Sequence, residues 1–229
     1  MPDPLKSIYN RLRLLVIPYI RRWVQSCSSL TTMKKKLTFA CATILASATL
    51  LSGCLVPERF SAKVEVEPDA SYTFRYSGTA VHALAAAQLK QTGSLSEKDQ
   101  NGLKTEAEKL SKMPDIRRAA YKGNGRYELE IESKKKAGES LKMLDIFSVL
   151  TDKDGMLTIA SIELKEKDKR ELEKLGISIN GTMEVRLPKN AEVISHNATS
   201  TPTLGMFGAY SWKIGGIDQR PLMKIKFKR

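Results

Sequence analysis

Residues 62–229 predict a single α+β domain, a mainly antiparallel, curved β-sheet with two or three helices packed on one face. Three observations predict this class. Apolar and polar residues alternate with period two in short runs, as in strands with one buried and one wet face. Turn signals such as Pro68-Asp69 and Gly123-Asn124-Gly125 divide the runs at hairpin spacing. Helical spacing is confined to a few stretches between them.

The elements follow in order. Val64 and Val66 alternate with Lys63, Glu65 and Glu67; Tyr72, Phe74 and Tyr76 alternate with Thr73, Arg75 and Ser77. Each set predicts a strand with one apolar face. The small-residue stretch from Ala80 to Lys90 predicts a helix. Ser96-Glu97-Lys98-Asp99 approximates a capping box, and Leu103, Ala107 and Leu110 form a helical stripe that Pro114 ends. Ile116–Lys122 and Arg126–Ser133 flank the Gly-Asn-Gly turn as a hairpin, with Tyr127, Leu129 and Ile131 on one face. Lys134-Lys135-Lys136-Ala137-Gly138 reads as a loop and Leu141 to Phe147 as a short helix. A further hairpin is expected from Val149-Leu150 and Met156–Ile162 around Asp152–Gly155. A charged helix runs from Glu166 to Leu175 and stops at Gly176, a natural residue for a left-handed cap. Strands at Ile177–Leu187, Glu192–His196, Ala209–Ile214 and Leu222–Lys228 complete the domain.

Ahead of this domain stands a segment of different character. Met33-Lys34-Lys35-Lys36 precedes an apolar stretch of 15 residues, Leu37 to Leu51, and Leu51-Ser52-Gly53-Cys54 closes it. This arrangement resembles the signal peptide and lipobox of bacterial lipoproteins. The resemblance implies cleavage after Gly53, a covalent diacylglycerol thioether on Cys54 and an N-acyl chain on its new amino group. The stretch falls short of the roughly 18–20 residues that span a hydrocarbon core, whereas two or three acyl chains give stable attachment. Residues 1–32 form a basic N-terminal extension, with Arg11, Arg13, Arg21 and Arg22 around an apolar run, and Met33 is favoured as the true start. Residues 33–53 are then the signal peptide and residues 54–61 a lipidated tether, at most about 25 Å long over Leu55–Ser61. Leu55 and Val56, in place of an aspartate, point to the periplasmic face of the outer membrane in a two-membrane host.

Composition narrows the function. The whole chain carries a net charge of +13, but residues 54–229 hold 30 Lys and Arg against 24 Asp and Glu, a net of +6. Basicity beside an anionic membrane surface is the relevant setting, and no nucleic-acid partner is expected. Cys27 and Cys41 lie in the leader, so Cys54 is the lone cysteine of the processed chain and no disulfide forms within it. His82 and His196 have no metal-ligand spacing, so no zinc site of Cys and His is expected. No cofactor is expected beyond the lipid on Cys54.

Catalytic signatures are scarce. Ser133-Lys134-Lys135-Lys136 matches S-x-x-K formally, without the companion elements of penicillin-binding enzymes. Asp152-x-Asp154-Gly155 is read as a turn, Asn197-Ala198-Thr199 as an idle sequon, and Glu128, Glu130 and Glu132 as a solvated strand face. His82 is read as a satisfied core or rim histidine. Two binding candidates remain. Lys224, Lys226 and Lys228 share one face of the last strand and, with Lys213, Arg220 and Arg229, would form a basic ridge for anionic headgroups. Lysines protecting a solvated edge strand explain the same residues. The loop Thr199–Gly208, with Leu204, Met206 and Phe207, would dip into a membrane, cover a pocket or fold back on the core.

Gly181-Thr182-Met183-Glu184-Val185-Arg186-Leu187-Pro188, then Val193-Ile194-Ser195-His196-Asn197 and Tyr210-Ser211-Trp212-Lys213-Ile214, together with Pro68-Asp69 soon after Cys54, resemble LppM-type lipoprotein domains. The resemblance implies an envelope-surface domain that contacts lipids or glycolipids and has no recognised catalytic centre. The leading expectation is therefore a non-enzymatic membrane-anchored lipoprotein that binds a lipid, glycolipid or other envelope component in a groove of its sheet, along the Tyr72/Phe74/Tyr76 face. The alternative is an accessory scaffold subunit of an envelope assembly, its sheet face closed by core packing. A lipid or peptidoglycan hydrolase ranks third, for want of a nucleophile–base pair.

Overall fold

The computed structural model describes residues 55–144, 146–203 and 208–228. They form an α+β fold, with antiparallel strands dominating and three helices among the described residues. The elements are β1 (Leu55–Val66), β2 (Tyr72–His82), α1 (Ala83–Thr92), α2 (Glu97–Leu110), β3 (Ile116–Gly123), β4 (Arg126–Lys135), β5 (Leu141–Met143), β6 (Phe147–Thr151), β7 (Leu157–Ser161), α3 (Glu166–Lys174), β8 (Asn180–Arg186), β9 (Ala191–His196), β10 (Tyr210–Ile214) and β11 (Leu222–Phe227). The expected single sheet is two. A six-stranded sheet A runs β10-β8-β1-β2-β4-β3, and a five-stranded sheet B runs β5-β6-β7-β11-β9.

Three local expectations are corrected. The segment read as a tether, Leu55–Ser61, is the first half of β1: Leu55 is buried and pairs with His82, Val56 with Val81. Pro57-Glu58-Arg59 conceals this strand in the sequence. A proline cannot donate to the ladder, and a bulge between Pro57 and Arg59 accommodates it. Leu141–Phe147, read as a short helix, is instead β5, a tight turn and the start of β6. Leu144 takes φ +50° there, and Ile146 N–H donates to Met143 C=O at 3.2 Å. A short apolar run does not reveal its period. Finally, Ala80–His82 complete β2, so the helix expected from Ala80 begins at Ala83.

The two inner faces meet in one core. Sheet A contributes Ala62, Val64, Tyr72, Phe74, Tyr76, Ile131, Met183, Val185 and Trp212; sheet B contributes Phe147, Val149, Leu157, Ile159, Met223 and Ile225. Phe147 is the central contact. Its ring centroid lies 5.3 Å from Phe60 in an edge-to-face arrangement, 5.7 Å from Phe74 and 6.1 Å from Tyr76. The stripe expected from α2, Leu103, Ala107 and Leu110, is buried, and α2 packs against β3. Ser96 caps α2 by accepting from Asp99 N–H at 3.1 Å. By contrast α3 buries no residue and is pinned by Lys169, which reaches Glu166 at 2.6 Å and Asp218 at 2.5 Å.

Phe147→Ala removes the ring that joins the sheets and is expected to destabilise the domain by about 3–5 kcal/mol. Urea denaturation of the two proteins measures the difference; a change below about 1 kcal/mol would mean that the inter-sheet contact is dispensable.

Candidate functional site

The outward surfaces of the two sheets have opposite characters. Strands β1, β2, β3, β4 and β8 place charges of both signs on the outer face of sheet A, and these pair. Lys63 lies 3.5 Å from Glu184, Arg118 lies 3.5 Å from Glu128 and 3.7 Å from Glu130, and Lys122 lies 2.7 Å from Glu128. Arg75 bonds Glu65 and lies 3.9 Å from Glu132. The hydrogen bond from Arg75 holds the Glu65 carboxyl below its ordinary range, and the one from Lys122 does the same for Glu128.

Sheet B carries the expected basic stripe. Met223 and Ile225 of β11 point into the core, while Lys224 and Lys226 stand on the outer face with Lys228 just beyond. Among the described residues none of these three lysines has a carboxylate within ion-pair distance. The edge-strand explanation is overturned, because β11 lies inside the sheet between β7 and β9. Of two other expected members of the ridge, one belongs to the other sheet and one is already ion-paired. Lys213 is exposed on β10, the edge strand of sheet A. Arg220 precedes β11 and is engaged by Glu163 at 3.1 Å. Proximity along the last 20 residues is not proximity in space.

Around the lysine stripe lie side chains that the sequence reading did not single out. Leu150 on β6, Ile162 after β7, Ile194 at the bulge of β9 and Leu222 on β11 are 38%, 38%, 50% and 39% exposed. Alternation along the strands and the pairing of β6, β7 and β11 bring Leu150, Ile162 and Leu222 to the lysine face, while Ile194 is the unpaired residue of the bulge.

A second, half-buried group lies at the end of sheet A where β1 begins. His82 caps α1, its Nδ1 accepting from Ala85 N–H at 3.3 Å, while its Nε2 lies 3.8 Å from Glu106. The Tyr127 hydroxyl sits 2.9 Å from Glu106 Oε2 and 3.2 Å from the Leu103 carbonyl. Burial pushes the His82 imidazole below its usual value of 6.5, and the Glu106 charge opposes that shift only in part. Nearby, Arg126 donates to both oxygens of the nearly buried Glu58 at 3.1 Å. His82 thus caps α1 at the rim of the sheet.

Asn197, dismissed as part of a sequon, joins the two sheets. Its Oδ1 accepts from Trp212 Nε1 at 2.8 Å and from Leu222 N–H at 2.8 Å, and its Nδ2 donates to the Arg220 carbonyl at 2.7 Å. The spacing of Asn and Trp thus encodes a side-chain bond between β10 and the start of β11.

The lipobox Leu51-Ser52-Gly53, Cys54, Arg229 and the loop residues Leu204, Met206 and Phe207 lie outside the described residues. Among the described residues, no helix is long and apolar enough to cross a membrane.

Fold and surface together define a two-sheet α+β domain with one ion-paired face and one lysine-and-aliphatic face. No family model and no curated protein matches the chain. Among solved structures it is similar to the NMR structure of the Mycobacterium tuberculosis LppM protein folded domain, at 11% identity and a TM-score of 0.35, over 78% of this chain and 92% of that one.

Two outcomes follow from the buried groups. The lowered imidazole pKa means that the unfolded chain takes up a proton below about pH 6.5 that the folded chain does not. Stability is therefore lost as pH falls through that value. His82→Asn keeps a capping side chain and should flatten the part of the decline between pH 7 and 5, as read from urea midpoints; an unchanged slope would place the pH sensitivity elsewhere. Asn197→Ala orphans the Trp212 N–H and should cost about 1–3 kcal/mol, together with a shift in tryptophan fluorescence.

Proposed function

We propose that the protein is a lipid-anchored lipoprotein of the bacterial envelope, non-catalytic, serving as an accessory scaffold module that works through its outer surfaces. The observation that carries this reading is Leu51-Ser52-Gly53-Cys54 set immediately before a folded strand. Cys54 adjoins Leu55, the first residue of β1, so lipid on that cysteine would hold the domain flush against its membrane rather than on a leash.

The choice of scaffold over carrier rests on packing. The Tyr72/Phe74/Tyr76 face, invoked for a lipid-binding groove, is filled: the three residues are at most 2% exposed, and Phe147 of the opposite sheet occupies the space a ligand would need. A hollow of about 640 Å³, lined by Glu65–Pro68 and Arg186–Asn190, is open and flanked by charge. It suits a surface contact better than an acyl chain. Leu55 and Val56 remain the grounds for placing the domain on the periplasmic side of an outer membrane, in a host that has one.

The test is the intact mass of protein extracted from membranes, compared with a Cys54→Ala variant. Wild-type protein should have the mass of residues 54–229 plus acyl chains, and the variant should retain its leader without them. A wild-type mass that keeps residues 1–53 would reject the lipoprotein reading. Native mass spectra that show lipid retained by the folded domain would favour the carrier over the scaffold.

A further inference from the structure

We infer that the outer face of sheet B is the side on which the domain rests against an anionic membrane surface, an inference that rests on the lipid-anchor reading for its setting. Lipid on Cys54 would pin one corner of the domain, at the start of β1, and leave it free to pivot. A strand of 12 residues is roughly 40 Å long. The domain could then stand on end or lie on one of its sheets, and the surface that gains most from the headgroups decides.

Sheet B is that surface. The strand register sets out its outer face row by row. Leu150, Thr158, Lys224 and Ser195 form one row across β6, β7, β11 and β9; Ser148, Ala160 and Leu222 form the next. With strands about 4.8 Å apart, Leu150 and Leu222 stand on the order of 12 Å from each other. Only the small side chains of Thr158 and Ala160 come between them, so nothing bulky holds the face away from a flat partner. Lys224, Lys226 and Lys228 border this patch with their ammonium groups uncommitted among the described residues. Glu192 stands opposite Lys226 without approaching to ion-pair distance, and Glu163 at the rim is taken by Arg220.

Composition selects a bilayer over a protein as the occupant. Protein interfaces are enriched in aromatic residues and arginine and depleted in lysine. This face has Leu, Ile and Lys, which suit the headgroup boundary: aliphatic side chains enter it while lysine stems lie along it and keep their charges at the phosphates. The paired charges on sheet A offer an anionic surface no comparable gain. The domain would therefore lie on sheet B and turn the ion-paired face of sheet A away from the membrane, toward soluble or membrane-bound partners.

Lysine-acetylation footprinting tests this on the full lipidated protein, reconstituted in phosphatidylcholine vesicles with and without phosphatidylglycerol. On the anionic vesicles Lys224 and Lys226 should be modified about fivefold more slowly, the factor that about 1 kcal/mol per lysine at an anionic surface gives. Lys122 and Lys134 of sheet A should be unaffected. The pair Lys224→Glu and Lys226→Glu should abolish the protection of Lys228, and Leu150→Asp should weaken it. Equal modification of both faces on anionic vesicles would overturn the inference, as would protection confined to the lysines of sheet A. So would protection of Lys224 and Lys226 in intact cells but not on vesicles, which would identify a protein as the occupant. Lipidated protein without protection sinks the docking face and spares the anchor. Protection of a chain whose mass shows no lipid does the reverse.

Discussion

The packing of Phe147 into Phe60, Phe74 and Tyr76 is the contact on which the rest of the molecule depends. It sets two sheets face to face, and it draws on a residue of β1 that two glycines flank closely. Phe60 is paired with Gly78 on one side and Gly181 on the other. Neither glycine could carry a side chain: a Cβ at position 78 would lie 2.2 Å from the Arg59 carbonyl oxygen, and one at 181 would lie 2.6 Å from the Phe60 carbonyl oxygen and 2.8 Å from its ring. Two glycines thus let the neighbouring strands close around a ring that stacks on Tyr76 at 5.7 Å and meets Phe147 edge-on. Close backbone approach is the usual reason for glycine inside a strand.

That constraint extends to the N-terminus. To place Phe60 between β2 and β8 with its ring in the core, β1 must already be in register on both sides by Arg59. The strand therefore begins well upstream, and Leu55 is spent on the sheet. A linker at this place would leave Phe60 without a fixed register. The domain gives up reach for a rigid start, so whatever precedes Leu55 is joined directly to a rigid body.

Much of this was legible in the residues, and the misses have physical causes. Faces were readable because a strand's period is two: Tyr72/Phe74/Tyr76, Tyr127/Leu129/Ile131 and Met223/Ile225 are all buried as alternation requires. What those faces pack against was not readable, since alternation reports that a face is apolar and is silent on what covers it. That is why the aromatic face suggested a groove when it is the centre of the core. Lys224 and Lys226 were correctly placed together because one strand carries them, whereas Lys213 was grouped with them by its position in the chain and belongs to the other sheet. The Asn197 and Trp212 spacing reflects a hydrogen bond between β10 and the residue that follows β9, which only the topology brings to 2.8 Å.

The contrast between the two outer faces has an electrostatic logic. Exposed ion pairs add little stability, about 0–1 kcal/mol each, so the lattice on sheet A is poorly explained as a device for holding the fold. Its effect on the field is larger. Each carboxylate set beside a lysine or arginine cancels a charge that would otherwise be felt at a distance, within the screening length of roughly 8–10 Å. Strand β11 of sheet B does not cancel Lys224 and Lys226, although Glu192 faces Lys226 across a strand pair. Charge left unpaired in one place and neutralised in another gives the domain a direction, and a body fixed at one corner needs one if it is to present a constant face to its surroundings. The same core that excludes a ligand makes this possible, because two sheets joined by interlocked aromatic rings turn as one piece.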